Sequence, residues 1–469
     1  MQDWRGKNVT VIGLGIEGED LARFFAARGA RVIGSDAKTR EAFGARAAEI
    51  EAAGIRLSLG ANDPADIAGA DLVCVSQGVP LSNAAVQAAR WAGKPVESMT
   101  SLFMQWWPGP ICGITGSSGK TTATALTDAI FTAAGREHVL GGNIGVGLLS
   151  LLPSSDQGQG NPRLESRGDE KTWAIMEISH TQLTLVKRSP NVACLLNVTP
   201  NHLDQFTWEE YVELKSHIFA YQSPGDACVF NAEDKVSQEL RPKAAARQYL
   251  FAIDGDHGAD GAFVSADKLM WRREGRTEAV VALEDIRLRG RHNVANVAAA
   301  AAVAAACGIE AEAVARAVRA FRAPPHRIEL VQTVDGVTYY DDSIATTPER
   351  TMAALRSFEE PIVLLLGGRD KHLPLAELAE EAGRRCRAVV CFGEARELLA
   401  AAMVASGKPV ERVDQLVDAV RAARALAKQG DAVVMSPACT SFDAYPNFER
   451  RGEHFRALVG ELATAGAKR

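Results

Sequence analysis

Residues 113–122 read GITGSSGKTT, between the apolar run PICGIT (110–115) and the helical pattern KTTATALTDAIFTAAG (120–135). Strand, glycine loop and helix in that order make a phosphate cradle. Glycines leave backbone N–H groups free to wrap phosphate oxygens, and the helix N-terminus adds its positive end. Gly116, Ser117, Ser118 and Gly119 form the loop, and Thr121 and Thr122 start the helix. Lys120 is placed to reach β- and γ-phosphates, and the Thr121 hydroxyl to face Mg²⁺. The spacing departs from the usual G-x-x-x-x-G-K, because position 114 is isoleucine.

About 100 residues upstream, NVTVIGLGIEGEDLARFF (8–25) makes a second glycine turn, with Gly13, Gly15 and Gly18 followed by Asp36. Alone this is a dinucleotide fingerprint. An NAD-dependent oxidoreductase would leave the second phosphate loop unexplained. Around the first turn, VTVIG, RVIGSD and DLVCVS alternate with helical stretches, a βαβ rhythm that fades at WWPGP (106–110). PICGIT, TWAIMEIS and VACLLNVT open a second α/β unit, closed by an alanine-rich helix at 292–307. The polar stretch Ser154–Lys171 reads as an exposed loop. After FRAPPHRIEL (321–330), the runs VTYYDDS, PIVLLLGG, RAVVCFG and DAVVMSP predict a third unit. The expected fold is α/β in three domains, 1–108, 109–323 and 324–469. The outer two are Rossmann-like and the central one is P-loop ATPase-like.

Composition narrows the function. A net charge of −6 argues against a nucleic-acid binder. No apolar signal segment opens the chain, and the longest apolar run, Val297–Ile309, is too short to span a bilayer. Eight scattered cysteines without a C-x-x-C pair fit reduced thiols. The expectation is a cytoplasmic monomer without membrane insertion or nucleic-acid partner.

Other residues stand where a phosphate site needs them. Glu177 ends the strand TWAIMEIS, and His202, with Asp204 nearby, follows the strand VACLLNVT. Both sit at strand ends of one sheet edge. Lys215, in WEEYVELKSHIFA, reads from local pattern as a helix-surface lysine.

The order of motifs resembles the Mur ligases, the ATP-dependent amide-forming enzymes of peptidoglycan precursor synthesis. It is carried by GLGIEG, TGSSGKTT, GGNIG (141–145), MEIS, LNVTPNHLD, RHNVANVAAA, PPHRIEL, YYDDS, LLLGGRDK and SPACTSFDAYPNFERRGEHF. The last points to the glutamate-adding branch. The resemblance implies that Lys120 and Thr121 hold ATP phosphate and Mg²⁺, and that Glu177 ligates Mg²⁺. It implies that Lys215 is carried as a carbamate, which unlike an ammonium offers oxygen ligands to Mg²⁺. Asn143 and His202 would meet the transferring phosphoryl group or the acceptor carboxylate. Asn296, Arg327 and Asp342 match positions for adenine, phosphate and ribose, so that ATP bridges the second and third domains. Thr346, Lys371, Ser441 and Phe448 match the glutamate site. The first glycine turn would then anchor the diphosphate of a UDP-sugar, with Leu14, Gly15, Ile16, Ser35 and Asp36 as contacts and Ser179 near the muramyl group.

The implied reaction joins glutamate to UDP-N-acetylmuramoyl-L-alanine through an acyl phosphate, without a protein nucleophile. Three departures surround the acceptor and glutamate positions. ISHTQL (178–183) has His180 and Thr181 where serine and phenylalanine are usual, Ile344 replaces a lysine, and Gln77 replaces a proline. D-glutamate is favoured over L-glutamate on family frequency. Other Mur ligases, the folylpolyglutamate synthases and a non-enzymatic nucleotide binder are the remaining alternatives.

Overall fold

The computed structural model describes residues 3–143, 147–152, 171–201, 205–322 and 325–466. The expected loop at 154–170, and also His202 and Asp204, lie outside the described residues. Three sheets follow one another along the chain. The first has five parallel strands in the order Ile55–Leu59, Arg31–Asp36, Asn8–Ile12, Leu72–Val75 and Val96–Glu97. Val9, Val11 and Ile12 of its central strand are fully buried, as helices on both faces of a parallel sheet require.

The second sheet has nine strands. Its parallel part runs His138–Gly142, Trp173–Glu177, Ile111–Thr115, Val192–Leu195, Ala227–Asn231, Arg247–Ala252 and Gly261–Ser265. Two antiparallel strands, Lys268–Arg273 and Arg276–Ala282, extend it. The third sheet has six strands, ordered Glu329–Val334, Val337–Asp341, Ala432–Ala438, Ile362–Gly367, Cys386–Phe392 and Val410–Arg412. Only its first pair is antiparallel.

The chain divides into two compact units, residues 1–285 with 295–320, and 286–294 with 321–469. The first therefore carries two of the three sheets. The stretch read as a linker at 106–110 is anchored inside it. Trp106 ends the helix Met99–Trp106 and stacks on Phe24 at 5.9 Å between ring centres, while Trp107 stacks on Phe103 at 5.3 Å and is 1% exposed. A buried aromatic is worth roughly 2–3 kcal/mol in area alone, so Trp107 behaves as core and the half-buried Trp106 packs against that core.

Seven of the eight cysteines are buried, none is paired, and they spread over all three sheets. Burial pushes the thiols of Cys386, Cys391 and Cys439 up to about 12. Among the described residues, no helix is long and apolar enough to cross a membrane.

Candidate active site

The second phosphate loop leaves the end of strand Ile111–Thr115 and enters the helix Lys120–Ala133. Gly119 caps that helix at φ 82°, the left-handed region that suits glycine, and a Cβ there would collide with Asn296 Oδ1. Asn296 is thus set against the loop, as expected of a residue meeting the same ligand. The loop is pinned from below. Ser118 N–H and Oγ–H donate to Asn197 Oδ1 at 3.0 and 3.3 Å, and Ser117 Oγ lies 3.0 Å from Thr199 O and 3.1 Å from Tyr211 Oη. Lys120 folds back, its Nζ donating to the carbonyls of Gly116 at 2.9 Å and Ser117 at 3.2 Å. The Thr122 side chain is buried, which leaves its backbone for a phosphate, whereas Thr121 is half-buried.

Lys215 is the largest departure from the local reading. It is not on a surface: it is 1% exposed, and its Nζ donates to Thr115 Oγ1 at 3.1 Å and Gly116 O at 3.0 Å. The helix Trp208–Ser216 starts with a reciprocal cap, in which Thr207 accepts from Glu210 N–H and Glu210 from Thr207 N–H, and this end of it turns Lys215 inward. Burial, then the nearby charge of Lys120, push the Lys215 amine well below its ordinary 10.5, against a smaller opposite pull from Glu177. Local periodicity cannot show this, because the partners are 99 and 100 residues away in sequence.

Glu177 closes the arrangement. It ends a strand adjacent to Ile111–Thr115, is 1% exposed, and accepts from Asn143 Nδ2 at 2.8 Å through one oxygen. Its other oxygen is buried and takes no hydrogen bond among the described residues. A buried carboxylate oxygen without a donor is costly unless a cation meets it. With the Thr121 hydroxyl at the helix start, this donor set fits Mg²⁺, a hard ion that takes oxygen ligands. Lys120, Asn143, Glu177 and Lys215 thus gather at one end of the central sheet, where ligands bind in open α/β sheets.

The first glycine turn is built differently. Gly13 has φ 84°, and a Cβ on Gly18 would strike the Gly13 carbonyl, so sheet and helix approach closely there. Leu14 N–H donates to Asp36 Oδ2 at 2.7 Å, and the other Asp36 oxygen accepts from Lys38 N–H at 2.9 Å. The Leu14 and Ser35 side chains are buried, so any ligand contact from Leu14 is through its backbone, while Ile16 points outward, 85% exposed. Glu17 accepts from Gln77 Nε2 at 2.7 Å, and burial raises its carboxyl above the usual range. The departure Gln77 therefore meets this acid. In the segment ISHTQL, Ser179 N–H donates to Gln182 Oε1 at 2.9 Å, and Ser179 Oγ lies 2.9 Å from Thr181 Oγ1.

In the other unit, two of the residues expected at the amino-acid site touch. Lys371 Nζ donates to Thr346 Oγ1 at 3.2 Å. A backbone bridge between Arg369 and Thr440 ties the Lys371 loop to the Ser441 loop. Phe448 opens the final helix, Phe448–Gly466, where the first amides have no partner within the helix. Asp342 is buried, accepts from Ser436 Oγ at 2.7 Å and Ile328 N–H at 3.2 Å, and burial raises its carboxyl to about 7.

Arg451 was not singled out from sequence. It is fully buried and donates to Ser343 Oγ and O, Gly367 O and Cys439 O at 3.0–3.2 Å, clasping the loops around this site. Its signal was an arginine inside NFERRGEHF, a motif from which only Phe448 was taken.

These features define a multidomain α/β protein with a cation-lined phosphate loop. Three family models match it: "Mur ligase MurD-like, N-terminal domain" over 7–98, "Mur ligase middle domain" over 114–304, and "Mur ligase, glutamate ligase domain" over 326–439. The chain belongs to the Mur ligase family. It is 40% identical over 461 residues to the UDP-N-acetylmuramoylalanine–D-glutamate ligase of Symbiobacterium thermophilum, covering 97% of this chain and 98% of that one. A protein of the same name from Clostridium novyi is 36% identical, covering 98% and 97%. Among solved structures, the UDP-N-acetylmuramate-alanine ligase of Thermotoga maritima matches with a TM-score of 0.59 at 17% identity, covering 97% of this chain and 99% of that one. This likeness supports the three-domain α/β fold.

Proposed function

We propose that this chain is an ATP-dependent ligase that joins D-glutamate to UDP-N-acetylmuramoyl-L-alanine in peptidoglycan precursor synthesis. The reading is supported by relatives of that name matched over nearly the whole chain. The observation that carries it is the convergence of Lys120, Lys215, Glu177 and Asn143 on one phosphate loop. We assign UDP-sugar binding to residues 1–108, ATP binding to 109–323 and glutamate binding to 324–469, in a cytoplasmic monomer.

In the proposed reaction the acceptor carboxylate attacks the γ-phosphorus of ATP. The products are an acyl phosphate and ADP. The glutamate amine then adds to the acyl carbon and inorganic phosphate leaves. Lys120, released from its loop carbonyls, neutralises the oxygens of the transferring group. Asn143 holds Glu177, and His202 is kept as a further contact. A depressed lysine amine is unprotonated more of the time and can add to CO₂, so burial favours the carbamate at Lys215. Thr121, Glu177 and that carbamate would hold Mg²⁺, whose contribution is charge neutralisation at the phosphate oxygens. Gly116 to Thr122, Asn296, Arg327 and Asp342 are assigned to ATP. Leu14, Gly15, Ile16, Ser35, Asp36 and Ser179 are assigned to the acceptor, and Thr346, Lys371, Ser441 and Phe448 to glutamate.

The test is phosphate release by the purified chain with ATP and Mg²⁺. It should require both UDP-N-acetylmuramoyl-L-alanine and glutamate, and D-glutamate should serve where L-glutamate does not. Release that no amino acid stimulates would sink the ligase reading. A preference for L-glutamate would overturn the stereochemistry alone.

A further inference from the structure

A second cation stands beside Lys371. Arg350, in the first turns of the helix Pro348–Leu355, donates through Nη1 to the carbonyl of Ile344 at 3.2 Å. Ile344 lies two residues before Thr346, the partner of Lys371. Both cations thus bond to the short segment 344–346, and after burial the charge of Arg350 is the next cause holding the Lys371 amine below its ordinary value. Neither cation forms an ion pair among the described residues. Of the acids adjacent in sequence, Glu349 pairs with neither cation among the described residues, and Asp370 lies 3.0 Å from His372. Elsewhere in the same unit arginines are matched to acids, as Arg369 is to Glu394, Arg387 to Asp431 and Arg424 to Asp335. Two exposed cations at one loop without an acid partner make a positive edge that attracts an anion. The hydroxyl of Thr346 lies on the same ledge and can share in that anion's hydrogen bonds.

We infer that Arg350 and Lys371 form a two-cation clamp for one carboxylate of the incoming dicarboxylic amino acid, with Arg350 as a specificity-determining contact of the ligase. The inference rests on the proposed function. Arg350 sits on the helix start at the edge of the site, exposed enough to swing its guanidinium off the Ile344 carbonyl onto a ligand. A guanidinium offers a carboxylate two parallel donors, which a lone ammonium does not. Apolar Ile344 supplies no charge, so on this stretch the second charge comes from Arg350.

Steady-state kinetics with each substrate varied in turn decides the matter. In Arg350→Gln the KM for glutamate should rise about tenfold, the value of one charge-assisted contact. The KM values for ATP and for the acceptor should stay within about twofold. Arg350→Lys should recover most of the loss, and Arg350→Glu should exceed it. Arg350→Gln with an unchanged glutamate KM, or with equal rises for all three substrates, overturns the clamp. Lys371→Ala separates the two layers of the argument. If it loses glutamate while Arg350→Gln does not, the clamp fails and the ligase reading stands. If the unmodified chain turns over no glutamate, the reading beneath the clamp has failed.

Discussion

Two glycine turns in this chain share a backbone plan and differ in charge. Each ends a central strand of a parallel sheet, opens a helix, and uses glycine where a side chain would collide with the neighbouring strand or loop. At the first, acids predominate: Asp36 already occupies the Leu14 amide, and Glu17 is half-buried with a raised carboxyl. The cation on that turn, Arg46 at the Leu14 carbonyl, is paired with Glu19. At the second the nearby ionisable groups are chiefly bases, with Lys120 on the loop carbonyls and Lys215 buried beneath. A shape that admits phosphate therefore does not by itself say what happens to the phosphate. Holding a diphosphate that stays intact takes amides and space. Moving a phosphoryl group takes positive charge where negative charge develops. The cations mark the turn where the chemistry lies.

The sharpest way to break this contrast is to remove the cations. Lys120→Ala and Lys215→Ala should each lower phosphate release by about 10³-fold or more, in line with losing charge stabilisation of a transferring group. Acetate should partly restore Lys215→Ala, by standing in for the carbamate oxygens, and should not restore Lys120→Ala. Failure of acetate would remove support for the carbamate.

A steric test of the first turn comes next. Gly18→Ala should cost about 2–3 kcal/mol, because its methyl meets the Gly13 carbonyl, and should lower the melting temperature by several degrees. An unchanged melting temperature would mean the close approach is not as described.

The opposite charges should also appear as opposite pH dependences of stability. Lys215 has a folded value below its unfolded 10.5, so the unfolded chain binds more protons between the two. Its burial penalty is full below the lowered value and fades as pH rises towards 10.5. In bicarbonate-free buffer Lys215→Met should therefore gain about 1 kcal/mol at low pH, less as pH rises, while activity is lost. Glu17 behaves in reverse. Its folded value lies above 4.5, so its penalty is absent below 4.5 and grows as pH rises to the raised value. Glu17→Gln should stabilise slightly above that window and not below it, the smallest effect in the series. Melting temperatures across pH check both, and slopes of the same sign would dissolve the contrast.

Much of this was legible in the sequence because it was local. Apolar runs between helical patterns gave the parallel parts of the three sheets, and glycine spacing gave both turns. Several strands were not read. Lys268–Arg273 carries as many basic as apolar residues, and Glu329–Val334, at a sheet edge, buries only Val334. Their tight turns did leave a mark, with Glu274–Gly275 and Asp335–Gly336 both at positive φ. The site divides the same way. Lys120, Glu177 and Asn143 stand in or beside short motifs. Lys215 and Arg451 matter through contacts some 100 residues away, except for that of Arg451 with Cys439, and one-dimensional periodicity does not carry that information.

The buried cysteines have a use beyond packing. A thiol pushed to about 12 is thiolate in roughly one molecule in 10⁵ at neutral pH, so an alkylating probe passes Cys386, Cys391 and Cys439 by while the chain is folded. Burial also raises the thiols of Cys74 in the first sheet and Cys194 and Cys228 in the second, as it does those of Cys386, Cys391 and Cys439 in or beside the third. Labelling at each position then becomes a clock for the opening of its own sheet, three timers built into one molecule without an added dye or tag.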